Sequence, residues 1–313
     1  MIPVVILAAG SGKRLGEIGK IFPKTLLPIG DGTLLDLHLR VFSALGTKRF
    51  ILVTDPVSGA VEAEARRALE GLGAELLIVH QAERLGIGHA ALLAEAAVGG
   101  GPFALVLGDT YYSRPELAGA VKAVASGGAD AVLSVRTVSD EAAILKECTI
   151  DLDAAGRVNK IIEKPKRALS MVKPCGVYFF GPRFMGALKA TRPSALRGEI
   201  ELTDAIQNLI SGGGLVRAME TLKLDVNITY PDDIINANKA WLADKGLEGF
   251  AGPGAEIGAG AVLEHSVAAR GAFVGPGARL KDSVVFPGGR VEAGAEISAS
   301  LVLPGFTVAG SGL

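Results

Sequence analysis

From Glu256 onward the chain repeats itself, and this repeat limits the possible fold more tightly than any other feature of the sequence. The segments EIGAGAVLEHSVAARGA, FVGPGARLKDSVVFPGG and RVEAGAEISASLVLPGF stack with a period of 17 residues. Ile257, Val274, Val291 and Val308 fall in one column, Leu263, Leu280 and Ile297 in a second, and Val267, Val284 and Leu301 in a third, beside Ser266, Ser283 and Ser300. A shapeless Gly/Ala tail would not hold three apolar columns in phase. Units that cannot bury an apolar face alone do so by stacking on their neighbours, so the pattern predicts a three-sided solenoid over 256–313. Its last coil has no successor, which predicts packing against another copy of the chain, a homo-oligomer built through the repeat.

The period resembles that of the left-handed parallel β-helix made of hexapeptide repeats, with one residue dropped per turn. The chain before it reads differently. Short β-rich runs such as VVILAA, RFILVT, AELLIVH and FALVLGD alternate with helical patterns such as VEAEARRALEGL and PELAGAVKAVASGG. That order predicts an α/β domain over 1–240, with a mostly parallel, Rossmann-like sheet and helices on both faces. Residues 241–255 are expected to link it to the repeat. Loops after parallel strands emerge at one edge, where such sheets bind ligands, so the polar residues after Ala8, His80 and Leu107 are expected to converge.

Lysine plus arginine number 32 against 33 aspartate plus glutamate, so no global field draws the chain to nucleic acid or to a membrane surface, and a basic site must be local. Cys148 and Cys175 have neither metal-ligand spacing nor the numbers of a disulfide framework, which fits a reducing compartment, and no secretory or membrane-spanning pattern is present; the cytoplasm is expected.

The first strand runs into AAGSGKRLG. Gly10 and Gly12 let backbone N–H groups approach phosphate oxygens, and Arg14 and Lys24 add full charge. The spacing is neither a Walker A loop nor a dinucleotide fingerprint. Downstream, Gln81 offers an amide that both donates and accepts, matching the imide edge of uracil or thymine, and Gly86 and Gly88 allow close backbone approach. Asp109 follows Gly108 at a strand's carboxyl end, a place for a carboxylate to hold a hard cation or to cap a helix. His38, His80, His89 and His265 are scattered and form no catalytic or zinc-type group.

Together LAAGSGKRL, PKTLLPI, QAERLGIGHA, LVLGD, IIEKPK, CGVYFF, RGEIELTDAI and LDVNITYPDDI resemble, in order, the segments of the sugar-1-phosphate nucleotidyltransferases, in particular the uridylyl and thymidylyl members. The resemblance spans about the first three quarters of the chain. It implies transfer of a nucleotidyl group from UTP or dTTP to a sugar 1-phosphate, with glucose 1-phosphate favoured and N-acetylglucosamine 1-phosphate second. It further implies that Leu7, Ala8, Ala9, Gly10, Gly12, Lys13, Gln81, Gly86, Gly88 and Gly108 bind the nucleotide and that Arg14, Lys24 and Asp109 carry catalysis. Mg²⁺ would sit on Asp109 with Asp225 or Asn227, since the last segment matches in two registers. Glu163, Lys164, Gly176 and Glu199 would hold the sugar phosphate. Lys13 stands where the family usually has threonine, and Cys148 where it has a glycine near the sugar. A guanylyl, adenylyl or cytidylyl specificity, a non-catalytic regulatory subunit, and an acetyltransferase built on the repeat through His265 are the competing readings.

Overall fold

The structure, a computed structural model, describes residues 1–10, 12–195 and 197–310. The chain forms two compact units, each assembled from separated segments.

The first unit holds Met1–Gly10, Leu39–Gly108 and Arg114–Leu224. Its seven-stranded sheet runs in the order Val216–Glu220, Ala131–Thr137, Val172–Phe180, Phe103–Leu107, Val4–Leu7, Arg49–Thr54, Glu75–His80. Every pairing is parallel except those of Val172–Phe180, which is antiparallel to both neighbours. Val4, Val5, Phe103, Ala104 and Val132 are wholly buried, as expected of strands covered by helices on both faces. The helix Gly59–Leu69 buries Val61, Ala65 and Leu69, one residue per turn on a single stripe. A hairpin of Cys148–Leu152 and Val158–Glu163 and the helix Leu202–Ser211 complete the core around Phe180 and Phe184.

The second unit comprises Ser11–His38, Asp109–Ser113 and Asp225–Leu313. Here the repeat forms three parallel sheets, and each strand pairs with the one 17 residues on: Val267 with Val284, Val274 with Val291, Leu280 with Ile297. Ser266 and Ser283 bind the amide N–H of the serine one coil later at 3.0 and 3.1 Å. The corner before each serine is left-handed, at His265, Asp282 and Ala299.

Three expectations are corrected. Residues 241–255 are not a free linker, because the helix Pro231–Lys245 runs through Trp241 and Gly249–Ala251 is the first strand of the repeat, paired with Ser266–Ala268. The column Val267, Val284, Leu301 does not face the prism interior. It points outward and shares a core with Ile234, Trp241 and Leu242 of that helix and with Leu15, Ile18 and Leu27, whereas Ala268, Val285 and Val302 fill the inside with Val274, Leu280 and Val291. Alternate residues of a strand point to opposite faces, so an apolar column can serve either side. Val308 does not continue the Ile257 column either. Phe306–Ala309 turns back to pair antiparallel with Ser300–Leu303, covering one of the prism's three sheets at its end.

Candidate active site

In the first unit, the ends of parallel strands are tied at one edge. Ala8 donates its N–H to Val53 at 2.7 Å, Gly108 to Leu7 at 3.0 Å and Gln81 to Thr54 at 2.9 Å. The loops beginning at Ala8, Gln81 and Gly108 therefore emerge together, with Ala8 buried, Ala9 half-buried and Gly10 exposed. The Gln81 side chain is 7% exposed, and its amide nitrogen lies 3.4 Å from both the Gly86 carbonyl and His89 Nδ1.

The two glycines of this loop are used differently from expectation. A Cβ on Gly86 would stand 2.7 Å, and one on Gly88 2.6 Å, from the carbonyl oxygen of Ile200. The Gly88 N–H donates to that carbonyl and the Ile200 N–H donates to Leu85, both at 2.8 Å. The close backbone approach that these glycines permit is to the Glu199–Ile200 main chain, so the Gln81 loop and the segment carrying Glu199 are one hydrogen-bonded piece.

That segment gathers charge. Arg197 lies 3.4 Å from Glu199 and 3.2 Å from the buried Glu201. Burial, and then the Glu201 charge, push the Glu163 carboxyl up to about 7, against the opposing pull of Arg197 and Lys164. Glu201 is also raised by its burial. Arg197 is the residue sequence reasoning missed; its signal was a basic side chain two positions before Glu199. Lys164, next to Glu163, is exposed with φ 42°. Gly176 has φ 76° and is buried where the Val172–Phe180 strand loses register between Pro174 and Tyr178. Cys148 pairs with Glu163 across the hairpin, and burial raises its thiol, which disfavours the thiolate.

In the second unit, Gly12 has φ 60° and opens a single turn over Lys13–Leu15 that buries Leu15 and leaves Lys13 and Arg14 exposed. The Lys24 ammonium lies 3.0 Å from Asp109 Oδ2, with the two side chains 14% and 34% exposed. Lys24 Cγ would be 3.6 Å from a Cβ at Gly12, so its stem runs along the glycine turn to the carboxylate. The Asp109 carbonyl accepts the Ile228 N–H at 2.9 Å, and the Thr110–Ser113 strand pairs with Leu224–Asn227. Tyr111 and Ser113 donate their hydroxyls to Asp244 at 3.0 and 2.8 Å, fixing the strand that follows Asp109. Asp225 is buried and Asn227 exposed. Among the described residues no three His, Cys, Asp or Glu side chains gather into a metal cage. Asp109, with Asp225 or Asn227, offers the oxygen donors that a hard cation takes. His265 is a coil corner with its ring nitrogens 3.3 Å from Glu248 and 3.6 Å from Asp282.

The nucleotidyl transferase family pattern matches residues 3–242. The chain belongs to the nucleotidyl transferase family. It is 32% identical over 77% of its length, and 66% of the relative's, to a glucose-1-phosphate thymidylyltransferase of Streptomyces antibioticus. It is 30% identical over 73% of its length, and 92% of the relative's, to UTP–glucose-1-phosphate uridylyltransferase AglF of Haloferax volcanii. A crystal structure of UDP-glucose pyrophosphorylase complexed with UDP-glucose shares the fold, with a TM-score of 0.66 and 24% identity over 78% of this chain and 99% of that one. Among the described residues of this nucleotidyltransferase, no helix is long and apolar enough to cross a membrane.

Proposed function

We propose that this nucleotidyltransferase joins UTP or dTTP to glucose 1-phosphate, with N-acetylglucosamine 1-phosphate as second acceptor, forming a nucleotide-sugar and releasing pyrophosphate. The observation that carries the reading is the loop from Gln81 to Gly88, with its buried amide beside a glycine carbonyl. An amide can donate to and accept from a pyrimidine imide edge. The thymidylyl and uridylyl activities named for the relatives support the same choice.

A sugar-phosphate oxygen attacks the α-phosphorus as the bond to the departing pyrophosphate breaks. Both reactants are anions, so the protein's task is to supply positive charge and alignment. The main chain at Leu7, Ala8, Ala9, Gly10, Gly12 and Lys13, with Gly108, borders the nucleotide, while Arg14 and Lys24 neutralise its phosphates. Lys164 takes the sugar phosphate, Glu163 and Glu199 accept sugar hydroxyls, and Gly176 lets the chain approach the ring. Asp109 with Asp225 or Asn227 would hold Mg²⁺, which when bound withdraws electron density from the phosphates. The two buried free cysteines suit the cytoplasm. Among the described residues Arg290–Val291 and Glu296–Ser298 are edge strands of their sheets, and pairing with a second copy of the chain would cover them in a homo-oligomer. Pyrophosphate release across a matrix of nucleoside triphosphates and sugar phosphates tests the reading. Turnover best with GTP and mannose 1-phosphate would overturn the substrate choice, and release with no pair would overturn the activity.

A further inference from the structure

The Val172–Phe180 strand carries a lysine among apolar neighbours. Lys173 is 3% exposed, and its ammonium lies 2.6 Å from Glu147 Oε2. Burying an ammonium is unfavourable unless its charge is met, and even a matched buried pair adds little stability over an apolar one. The pair therefore calls for another explanation, and Glu147 supplies it.

Glu147 follows the helix Glu141–Lys146 and leads into Cys148–Leu152. Cys148 stands opposite Glu163 in the hairpin, so Glu147 comes opposite Lys164, and its carbonyl accepts the Lys164 N–H at 2.7 Å. Opposite charges facing each other across two strands attract. An ordinary Glu147–Lys164 pair would neutralise the lysine, yet the Lys164 ammonium makes no ion pair among the described residues. Two features keep the charges apart. Lys164 leaves extended geometry with φ 42°, a conformation rare for a lysine, and the Glu147 carboxylate, 33% exposed, is held by Lys173 instead.

We propose that Lys173 is a positioning residue for the sugar phosphate: by holding the Glu147 carboxylate it keeps Lys164 available to the incoming anion. The inference rests on the assignment of Lys164 to the sugar phosphate. Lys173→Met releases Glu147 to pair with Lys164, so KM for the sugar phosphate rises about tenfold or more, the scale of one charge-assisted contact, while KM for the nucleotide and the saturated kcat stay within about twofold. Adding Glu147→Gln removes the competing carboxylate and restores the sugar-phosphate KM to within about threefold of the parent. A merely structural lysine would lower the melting temperature, disturb both KM values and show no such rescue.

Steady-state kinetics and thermal melts on the full chain decide it, with Lys164→Ala alongside. An unchanged sugar-phosphate KM in Lys173→Met, or a double variant no better than the single, overturns the proposal. If Lys164→Ala itself leaves that KM unchanged, the assignment of Lys164 fails instead. Should Lys173→Met not fold, Lys173→Gln, which keeps a donor toward Glu147, is expected to shift the same KM in the same direction, and no shift overturns the proposal equally.

Discussion

At the scale of single residues, two charges are set by their surroundings in ways that kinetics can read. Glu163 has its carboxyl raised to about 7 by burial and by Glu201. A raised pKa favours the protonated form in the folded protein, so on this account folding stability is greatest at low pH and falls as pH rises through about 7. The carboxylate accepts a sugar hydroxyl more strongly than the neutral acid does, so kcat/KM for the sugar phosphate should climb through the same range. Glu163→Gln, which cannot ionise, should remove that limb from the pH profile while leaving any limb due to the substrate's own phosphate; an unaltered profile would mean that Glu163 does not titrate in binding. Lys24, 3.0 Å from Asp109, is that carboxylate's counter-ion in the absence of ligands. Lys24→Met should cost about 10²–10³ in turnover, yet bind Mn²⁺ more tightly without nucleotide, as titrated by electron paramagnetic resonance. Weaker Mn²⁺ binding in the variant would show that Lys24 does not compete for Asp109.

At the scale of elements, the Gln81 loop and the Glu199 segment behave as one piece because two main-chain hydrogen bonds join Leu85–Gly88 to Ile200. A Cβ at Gly88 would press on backbone rather than on a side chain tip, so the segment itself must shift. Gly88→Ala is accordingly expected to raise KM for both the nucleotide and the sugar phosphate by about tenfold, since misplacements of an ångström or less carry such costs. A change confined to the nucleotide would show that the two segments move independently. The family resemblance marked both segments, but it could not show that they touch, because residues 88 and 200 pair across most of the first unit's sequence.

At the scale of the whole molecule, the repeat is part of the second unit's core rather than an appendage. Trp241 is 4% exposed, its ring 5.0 Å from Phe250 in an edge-on contact, and its cluster includes Val267, Val284 and Leu301 together with Leu15, Ile18 and Tyr111. Trp241→Ala should lower stability by about 3–5 kcal/mol, measured by denaturant unfolding. Deleting residues 252–313 would uncover the same cluster, which also supports the stretches bearing Lys24 and Asp109. The truncated chain should lose cooperative melting and more than about 10²-fold in activity, the cost of losing a well-placed charge contact. A truncated enzyme with full activity would show that those stretches fold without the repeat.

What the sequence determined by itself is what repeats or recurs along the chain. The 17-residue period fixes the coil register, since each strand meets its successor one period later. The alternation of strand and helix patterns similarly prescribes a mostly parallel sheet whose loops leave at one edge, and the ordered motifs place Gln81, Asp109 and Lys164 at element ends. What only the tertiary structure decided is which surface covers each element. Periodicity says that Val267 and Val284 are apolar together, but strands have two faces, and the helix Pro231–Lys245 determined that this column turns outward. The reversal at Phe306–Ala309, the use of Gly86 and Gly88 against Ile200, and the burial of Lys173 on Glu147 are likewise pairings between distant segments. Their energies depend on which groups meet in space and are removed from water together, and spacing along a chain does not encode that.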